Sequence, residues 1–270
     1  MTFDPESVRA FEHARWEKAA DVYASTFAPA TSQFIDALLD AVGIEEGTQL
    51  LDVACGPGLV AARAANLGAL VAGLDFSAAM IRASRAAHPQ IEFDHGDAEE
   101  LPYPSASFSA VVSNFGLHHV PRPELALKEA FRVLRAGGRI AFTVWADASD
   151  NIAWKLLFHA IGRHGDRAAS IAPPPGGGFG ADRCAQVLQK AGFIDTRTVL
   201  ERRQWCVADA ATLVSALRAG TARMAAMIES QDPSIMPAVL ADVDKHARRW
   251  RNNGALALPI AAVIASGQKP

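Results

Sequence analysis

Residues 50–59 read Leu-Leu-Asp-Val-Ala-Cys-Gly-Pro-Gly-Leu, an apolar run that enters a two-glycine turn and leaves it as a helix. The stretch 48–54 is short, apolar and bounded by Gly47 and Gly56, the pattern of a strand buried on both faces. Gly56 and Gly58 allow a tight turn and present no Cβ to a ligand approaching the backbone. The helix beyond offers free N–H groups and the positive end of its dipole, which suits an anionic ligand group. Gly56-Pro-Gly-Leu-Val-Ala61 also fits the dinucleotide pattern with alanine in the last place. Asp75 closes the next strand 75 − 56 = 19 residues later, where a ribose-binding acid is expected. The unit points to an adenosine-containing ligand and leaves open which one.

Strands and helices alternate around this turn. Trp16, Ala19, Ala20, Tyr23 and Phe27 recur at helical spacing, as do Phe34, Ile35, Leu38, Leu39 and Val42, with Pro29 between the runs and Gly43 as a stop. Helices are expected over 58–66, 77–87 (capped by Ser77) and 124–135, and strands over 69–75, 91–93 and 108–114. Gly137-Gly138 should break the helix before a strand over 139–145. This alternation implies an α/β fold with a mostly parallel sheet and helices on both faces. Beyond residue 150, helices are expected over 151–163, 181–191 and most of 209–250, with a loop at 173–180 and a strand over 193–203. The last strand spans 256–266, where Pro259 calls for an edge position or a strand start.

The chain has 270 residues, half of them hydrophobic, which is enough for a sizeable core in one or two domains. Lys and Arg number 26 against 29 Asp and Glu, a net charge of −3, so the basic footprint of a nucleic-acid binder is missing. Cys55, Cys184 and Cys206 suit neither a disulfide framework nor a zinc module, and no metal site is expected. The chain opens with charged residues rather than an apolar leader, and no stretch reaches the roughly 18–20 apolar residues of a membrane helix. A cytoplasmic protein without membrane association is therefore expected, and a homodimer is compatible with the sequence.

Two further acids narrow the ligand. Asp52 lies inside the first strand, where a carboxylate is costly to bury without a cationic or N–H partner. An amino-acid ammonium group is such a partner, and a dinucleotide has none. Gly96-Asp97-Ala98 places another acid at the same sheet edge, able to accept from an adenine amino group. After the fourth strand, His118 and His119 stand near the reacting end of such a site, where imidazole can act as a base. Adjacent residues point differently, so at most one faces the cleft, and His119 is the candidate.

Leu-Leu-Asp-Val-Ala-Cys-Gly-Pro-Gly, Gly-Leu-Asp-Phe-Ser, Gly-Asp-Ala-Glu-Glu-Leu-Pro-Tyr, Phe-Ser-Ala-Val-Val-Ser-Asn-Phe-Gly-Leu-His-His-Val and Phe-Arg-Val-Leu-Arg-Ala-Gly-Gly-Arg follow in that order. Together they resemble the motifs of class I S-adenosylmethionine (SAM) dependent methyltransferases, in the branch similar to quinone-biosynthesis C-methyltransferases. The resemblance covers roughly residues 50–145. It implies a Rossmann-like, seven-stranded sheet with an antiparallel last strand, SAM as cofactor, and methyl transfer by in-line displacement. Carried over by residue, it sets Ala54, Gly56 and Gly58 along the methionine part and Asp52 on its ammonium group. Asp75 would accept both ribose hydroxyls, with Phe76 and Met80 on the adenine and Asp97 and Ala98 at its edge. Asn114 and Phe115 would lie under the sulfonium, and Tyr23 would close over the methionine end unless it merely packs with Trp16 and Phe27.

One departure is Ala54-Cys55, where relatives more often carry Gly-Cys; the added methyl is expected to be harmless. The resulting expectation is a single domain. Residues 1–47 close the cofactor site, 48–145 form the SAM-binding core, 146–255 supply helical insertions and the sixth strand as a substrate cap, and 256–270 form the last strand. Trp154, Phe158, Trp205, Met224 and Met227 are candidate lining for a small hydrophobic or aromatic methyl acceptor. Lys245, His246, Arg248, Arg249 and Arg251 read as a solvated helix face. Two alternatives are an NAD(P)-linked oxidoreductase built on the same turn and a SAM-binding protein without catalysis.

Overall fold

The computed structural model describes residues 3–169, 171–173 and 181–270. Helix α1 (Pro5–Thr26) begins where the Asp4 carboxylate accepts the Glu6 amide at 3.2 Å and Pro5 takes the first turn, where its missing N–H costs nothing. A short α2 (Ala28–Thr31) and α3 (Ile35–Val42) follow, and α3 ends on Gly43 in the left-handed conformation. The central alternation runs β1 (Gln49–Val53), α4 (Leu59–Asn66), β2 (Leu70–Asp75), α5 (Ala78–Ala87), β3 (Glu92–His95), β4 (Phe108–Asn114), α6 (Pro123–Val133) and β5 (Leu134–Trp145). The remainder comprises α7 (Ile152–His164), α8 (Ala181–Lys190), β6 (Ile194–Val207), α9 (Ala210–Gly220), α10 (Ala222–Glu229), α11 (Met236–Ala247), β7 (Arg251–Asn252) and β8 (Ala255–Gln268).

The strands form one sheet in the order β3-β2-β1-β4-β5-β8-β6, with the two-residue β7 paired to β8. Strands β1 to β5 pair in parallel, and β8 runs antiparallel to both β5 and β6. The sheet thus has the expected architecture, with β7 as a small addition. Strand order reverses at β1, which sends one crossover to β2 and faces β4 on its other side; in open α/β sheets this switch leaves a crevice beyond the carboxyl ends of the strands. Close packing keeps these strands in place. A Cβ on Gly73 of β2 would stand 2.5 Å from a ring carbon of Phe93 on β3, so only glycine lets the two strands carry that aromatic between them.

Beyond the central alternation, α7, α9, α10 and α11 assemble on one end of the sheet. They bury Leu157, Ile161, Leu213, Leu217, Val239 and Val243 together with Phe27, Phe34 and Trp205. None of the helices in the described residues is long and apolar enough to cross a membrane.

Three local expectations change. Gly137-Gly138 does not break α6, which ends at Val133; both glycines lie inside β5, where the register to β4 shifts between Phe108 and Ala110. Gly137 has φ +77°, and a Cβ on Gly138 would stand 2.9 Å from the Arg135 carbonyl, so the pair serves a bulge. The strand with Pro259 is interior, between β5 and β6. Pro259 is nevertheless tolerated because it pairs only with Gln204 of β6, and the ladder to β5 begins at Ala262. Finally, β6 runs on to Val207, four residues beyond its expected end at 203 (207 − 203 = 4), and the expected loop lies outside the described residues from 174 onward.

Candidate functional site

Strand β1 carries Asp52 to the crevice, where it is fully buried. Its Oδ2 accepts the Ala61 amide of α4 at 3.2 Å, and its Oδ1 has no hydrogen-bond partner among the described residues. Burial pushes this carboxyl up to about 8, and the nearby Asp75 charge adds to the shift against the pull of the Ala61 amide. Asp75, at the end of β2, accepts the Gly56 amide at 2.8 Å on Oδ2 and the Ser77 amide at 2.9 Å on Oδ1. Burial raises it to about 6, and those two amides limit the rise. Two buried acids therefore share one crevice, and among the described residues no cationic side chain is bonded to either.

The turn between them is strained at one residue. Ala54 has φ +57°, a left-handed conformation that costs a residue with a Cβ about 1–2 kcal/mol. Its methyl is accommodated because residue 116 is glycine: a Cβ there would collide with the Ala54 Cβ. The alanine thus carries a backbone cost of its own, and Gly116 only makes room for its methyl, which corrects the expectation that it is harmless. Gly56 (φ +53°) has room for a Cβ, so its backbone conformation is what calls for glycine.

The crevice opens into a cleft lined by Tyr23, Asp52, Ala54, Gly56, Asp75, Phe76, Met80, Asp97, Ala98, Asn114, Phe115 and His119. Gly58 does not line it. This residue is the left-handed N-cap of α4, and a Cβ would stand 2.8 Å from the Phe93 ring, so it lets the helix approach β3. Asp97 is held from outside: Arg9 of α1 bonds its Oδ2, and the Glu99 amide donates to its Oδ1 at 2.9 Å. Asn114 ties β4 to α2 through the Thr31 carbonyl (3.2 Å) and accepts the Thr143 hydroxyl at 2.6 Å. Phe115 stacks on Trp145 with ring centroids 4.0 Å apart. The Tyr23 hydroxyl meets Thr31 Oγ1 at 2.9 Å, and burial pushes it up to about 12.

Helix α1 contributes more than Tyr23. Arg9 and Trp16 also line the cleft. Glu17 reaches across to α5, where its carboxylate accepts the Ser77 hydroxyl (2.7 Å) and the Ala79 amide (3.0 Å) at the helix N-terminus. Glu12 is fully buried and accepts from His119 Nδ1 (3.0 Å) and the Trp16 indole (3.2 Å); its other oxygen lies 2.9 Å from Arg223 of α10. Burial opposes its charge, yet His119 and Arg223 together hold Glu12 below the ordinary carboxylate range. His118 turns away, edge-on to Phe115, and burial pushes its imidazole well below the usual range. A helical stripe announces that α1 is buried but not which of its polar residues reach neighbouring elements, so sequence reasoning missed buried Glu12 and half-buried Glu17.

Trp154, Phe158, Trp205, Met224 and Met227 do not line the cleft. Trp205 and Met224 are buried in the cluster of α7, α9, α10 and α11, and the other three pack against it, so these side chains hold the helices together.

A family profile described as "Methyltransferase domain" matches residues 51–142. The demethylmenaquinone methyltransferase of Renibacterium salmoninarum is 42% identical over 103 residues, covering 38% of this chain and 44% of the relative; the chain thus spans less than half the length of that relative. The demethylmenaquinone methyltransferase of Listeria monocytogenes serotype 4a is 33% identical over 184 residues, 58% of this chain and 74% of the relative. Among solved structures, the YcgJ protein of Bacillus subtilis superposes with a TM-score of 0.59 at 14% identity, over 88% of this chain and 98% of that one, a likeness of fold. By sheet order, Gly-rich turn and sequence likeness, the chain belongs to the class I SAM-dependent methyltransferase family.

Proposed function

We propose that the chain transfers a methyl group from SAM to a small, apolar or aromatic molecule bound at the His119 end of the cleft. The observation that carries this reading is the pair of buried, cation-free carboxylates, Asp52 and Asp75, at the switch point. A ligand with an ammonium and a sulfonium brings positive charge to them, whereas the pyrophosphate of a dinucleotide would bring more negative charge. The Asp52 Oδ1, buried without a partner, suits the ammonium group, and Asp75 retains lone pairs for ribose hydroxyls beside its two amide bonds. Phe76 and Met80 supply apolar surface for a base, and Asp97 and Ala98 line the wall where its edge would lie. The cofactor, when bound, would supply an activated methyl group, which an acceptor would take as the carbon–sulfur bond breaks in line and the demethylated thioether leaves. What remains for the protein is to align the acceptor and exclude water. Helix α1, pinned by Arg9, Glu12 and Glu17, closes one side of the site. Trp16, Phe115, Val120 and Pro121 offer an apolar wall to the acceptor, and the likeness to demethylmenaquinone methyltransferases agrees with such chemistry.

His119 is the base for acceptors that must lose a proton. Anionic Glu12 takes its Nδ1–H, which leaves the lone pair on Nε2. With isotopically labelled SAM and a panel of small aromatic hydroxy compounds, a mass gain of one methyl identifies the acceptor. His119→Ala should then lower turnover by roughly 10²–10⁴-fold while SAM affinity stays within about twofold. Unchanged turnover would remove the base from the mechanism, and absence of methyl gain on every acceptor tried with SAM still bound would point to binding without catalysis.

A further inference from the structure

We infer that His159, Asp242 and His246 form a site for a divalent transition metal, zinc above all, which joins α7 to α11 away from the cofactor cleft. Asp242 is 8% exposed, and its Oδ2 is buried with no hydrogen-bond partner among the described residues. His159 Nε2 stands 3.7 Å from that oxygen. One ligand nitrogen of each imidazole and one carboxylate oxygen lie within 4.8 Å of one another. The His159–Asp242 separation is long for a hydrogen bond and close to that of two metal ligands: ligands about 2.0–2.1 Å from a tetrahedral zinc stand about 3.4 Å apart. Two imidazoles with one carboxylate make a familiar zinc donor set that leaves a fourth position for water or an anion.

Asp242 and His246 sit four residues apart on α11, one turn of a helix, and His159 comes from α7, so the ion would bridge two helices. His246 already donates Nδ1–H to the Asp242 carbonyl at 2.8 Å, the kind of bond that fixes a ring and leaves its lone pair on the other nitrogen. On the far side of the carboxylate, Oδ1 faces Arg163 Nε at 3.6 Å and His164 Nε2 at 3.8 Å. Lys155, Lys245, Arg248 and Arg249 rim the adjoining cavity, and their charge opposes a cation; added salt, which screens them, should therefore tighten rather than weaken zinc binding. None of these residues lines the cofactor cleft.

The test is calorimetric titration of zinc chloride into the chelator-treated 270-residue chain, paired with thermal melting. One zinc per chain and a melting temperature raised by zinc are expected. His159→Ala and His246→Ala, both at partly exposed positions, should each fold, bind SAM as the unaltered chain does, and weaken zinc binding at least about tenfold. Absence of zinc binding, or an affinity unchanged in either variant, overturns the site. Loss of SAM binding in the unaltered chain would fault the methyltransferase reading without touching this one.

Discussion

Asp75→Ala should weaken SAM binding by roughly 100-fold or more, because about 3 kcal/mol of charge-assisted hydrogen bonding to the ribose hydroxyls disappears. The same change leaves the Gly56 and Ser77 amides without their acceptor, so the Gly-rich turn loosens at its cofactor face. Asp75→Asn separates the two effects. It keeps an acceptor for one amide and removes the charge, so it should preserve the fold and still lose most of the affinity. Circular dichroism and calorimetry on both variants provide the check; full SAM affinity in either one would take Asp75 out of the site.

The second large effect concerns pH and Asp52. This carboxyl is raised to about 8 in the folded chain, mainly by burial, against an ordinary value of 3.8. Its contribution to the stability of the free protein is therefore fully present below about 4 and is lost as pH rises through about 8. A bound ammonium reverses that preference and favours the carboxylate. SAM binding near pH 7 should release about one proton, which appears as a dependence of the calorimetric heat on the buffer's ionisation enthalpy. Affinity should climb by up to about tenfold per pH unit between pH 6 and 8, then level off as the ligand's own amine loses its proton near about 8.

Asp52→Asn should erase both the proton release and the pH slope, and cost about 1.5–3 kcal/mol of SAM affinity. The free variant should melt higher than the unaltered chain at pH 8, by about 2–4 °C per kcal/mol relieved, with the gap closing toward pH 4. A variant that keeps the proton release would place the titrating group elsewhere.

The parts of this fold that are local in sequence were readable from it. The run through Asp52, Gly56 and Asp75 encodes strand, turn and acid within 24 residues (75 − 52 + 1 = 24), and the glycines announce where the backbone must turn. The alternation of apolar strands with helical stripes was enough for the sheet. Where a residue's meaning depends on register, local reading failed: Gly137-Gly138 serves a bulge because β4 lies alongside, and Pro259 is harmless because β5 pairs only further along β8. Gly58 was misplaced for a similar reason, since the ring it must avoid belongs to β3.

The polar machinery of α1 was out of reach. His119 lies 107 residues from Glu12, and Ser77 lies 60 residues from Glu17; no spacing rule links either pair before the chain is folded. Charged residues on a helix are usually solvated, so Glu12 gave no signal of its burial. The aromatic and Met residues beyond 150 misled in the opposite direction. Their chemistry suits a ligand, but a helical cluster resting on a sheet end needs the same bulky side chains to fill its own core.

The central claim is that this cleft selects a cationic adenosine cofactor, and calorimetry tests it most directly. SAM, its demethylated product and NAD would be titrated in turn into the 270-residue chain at about pH 7.5. The account predicts one site for SAM and one for the demethylated product, proton release with SAM, and negligible heat with NAD. Tight NAD binding with none for SAM would contradict it and return the Gly-rich turn to a dinucleotide.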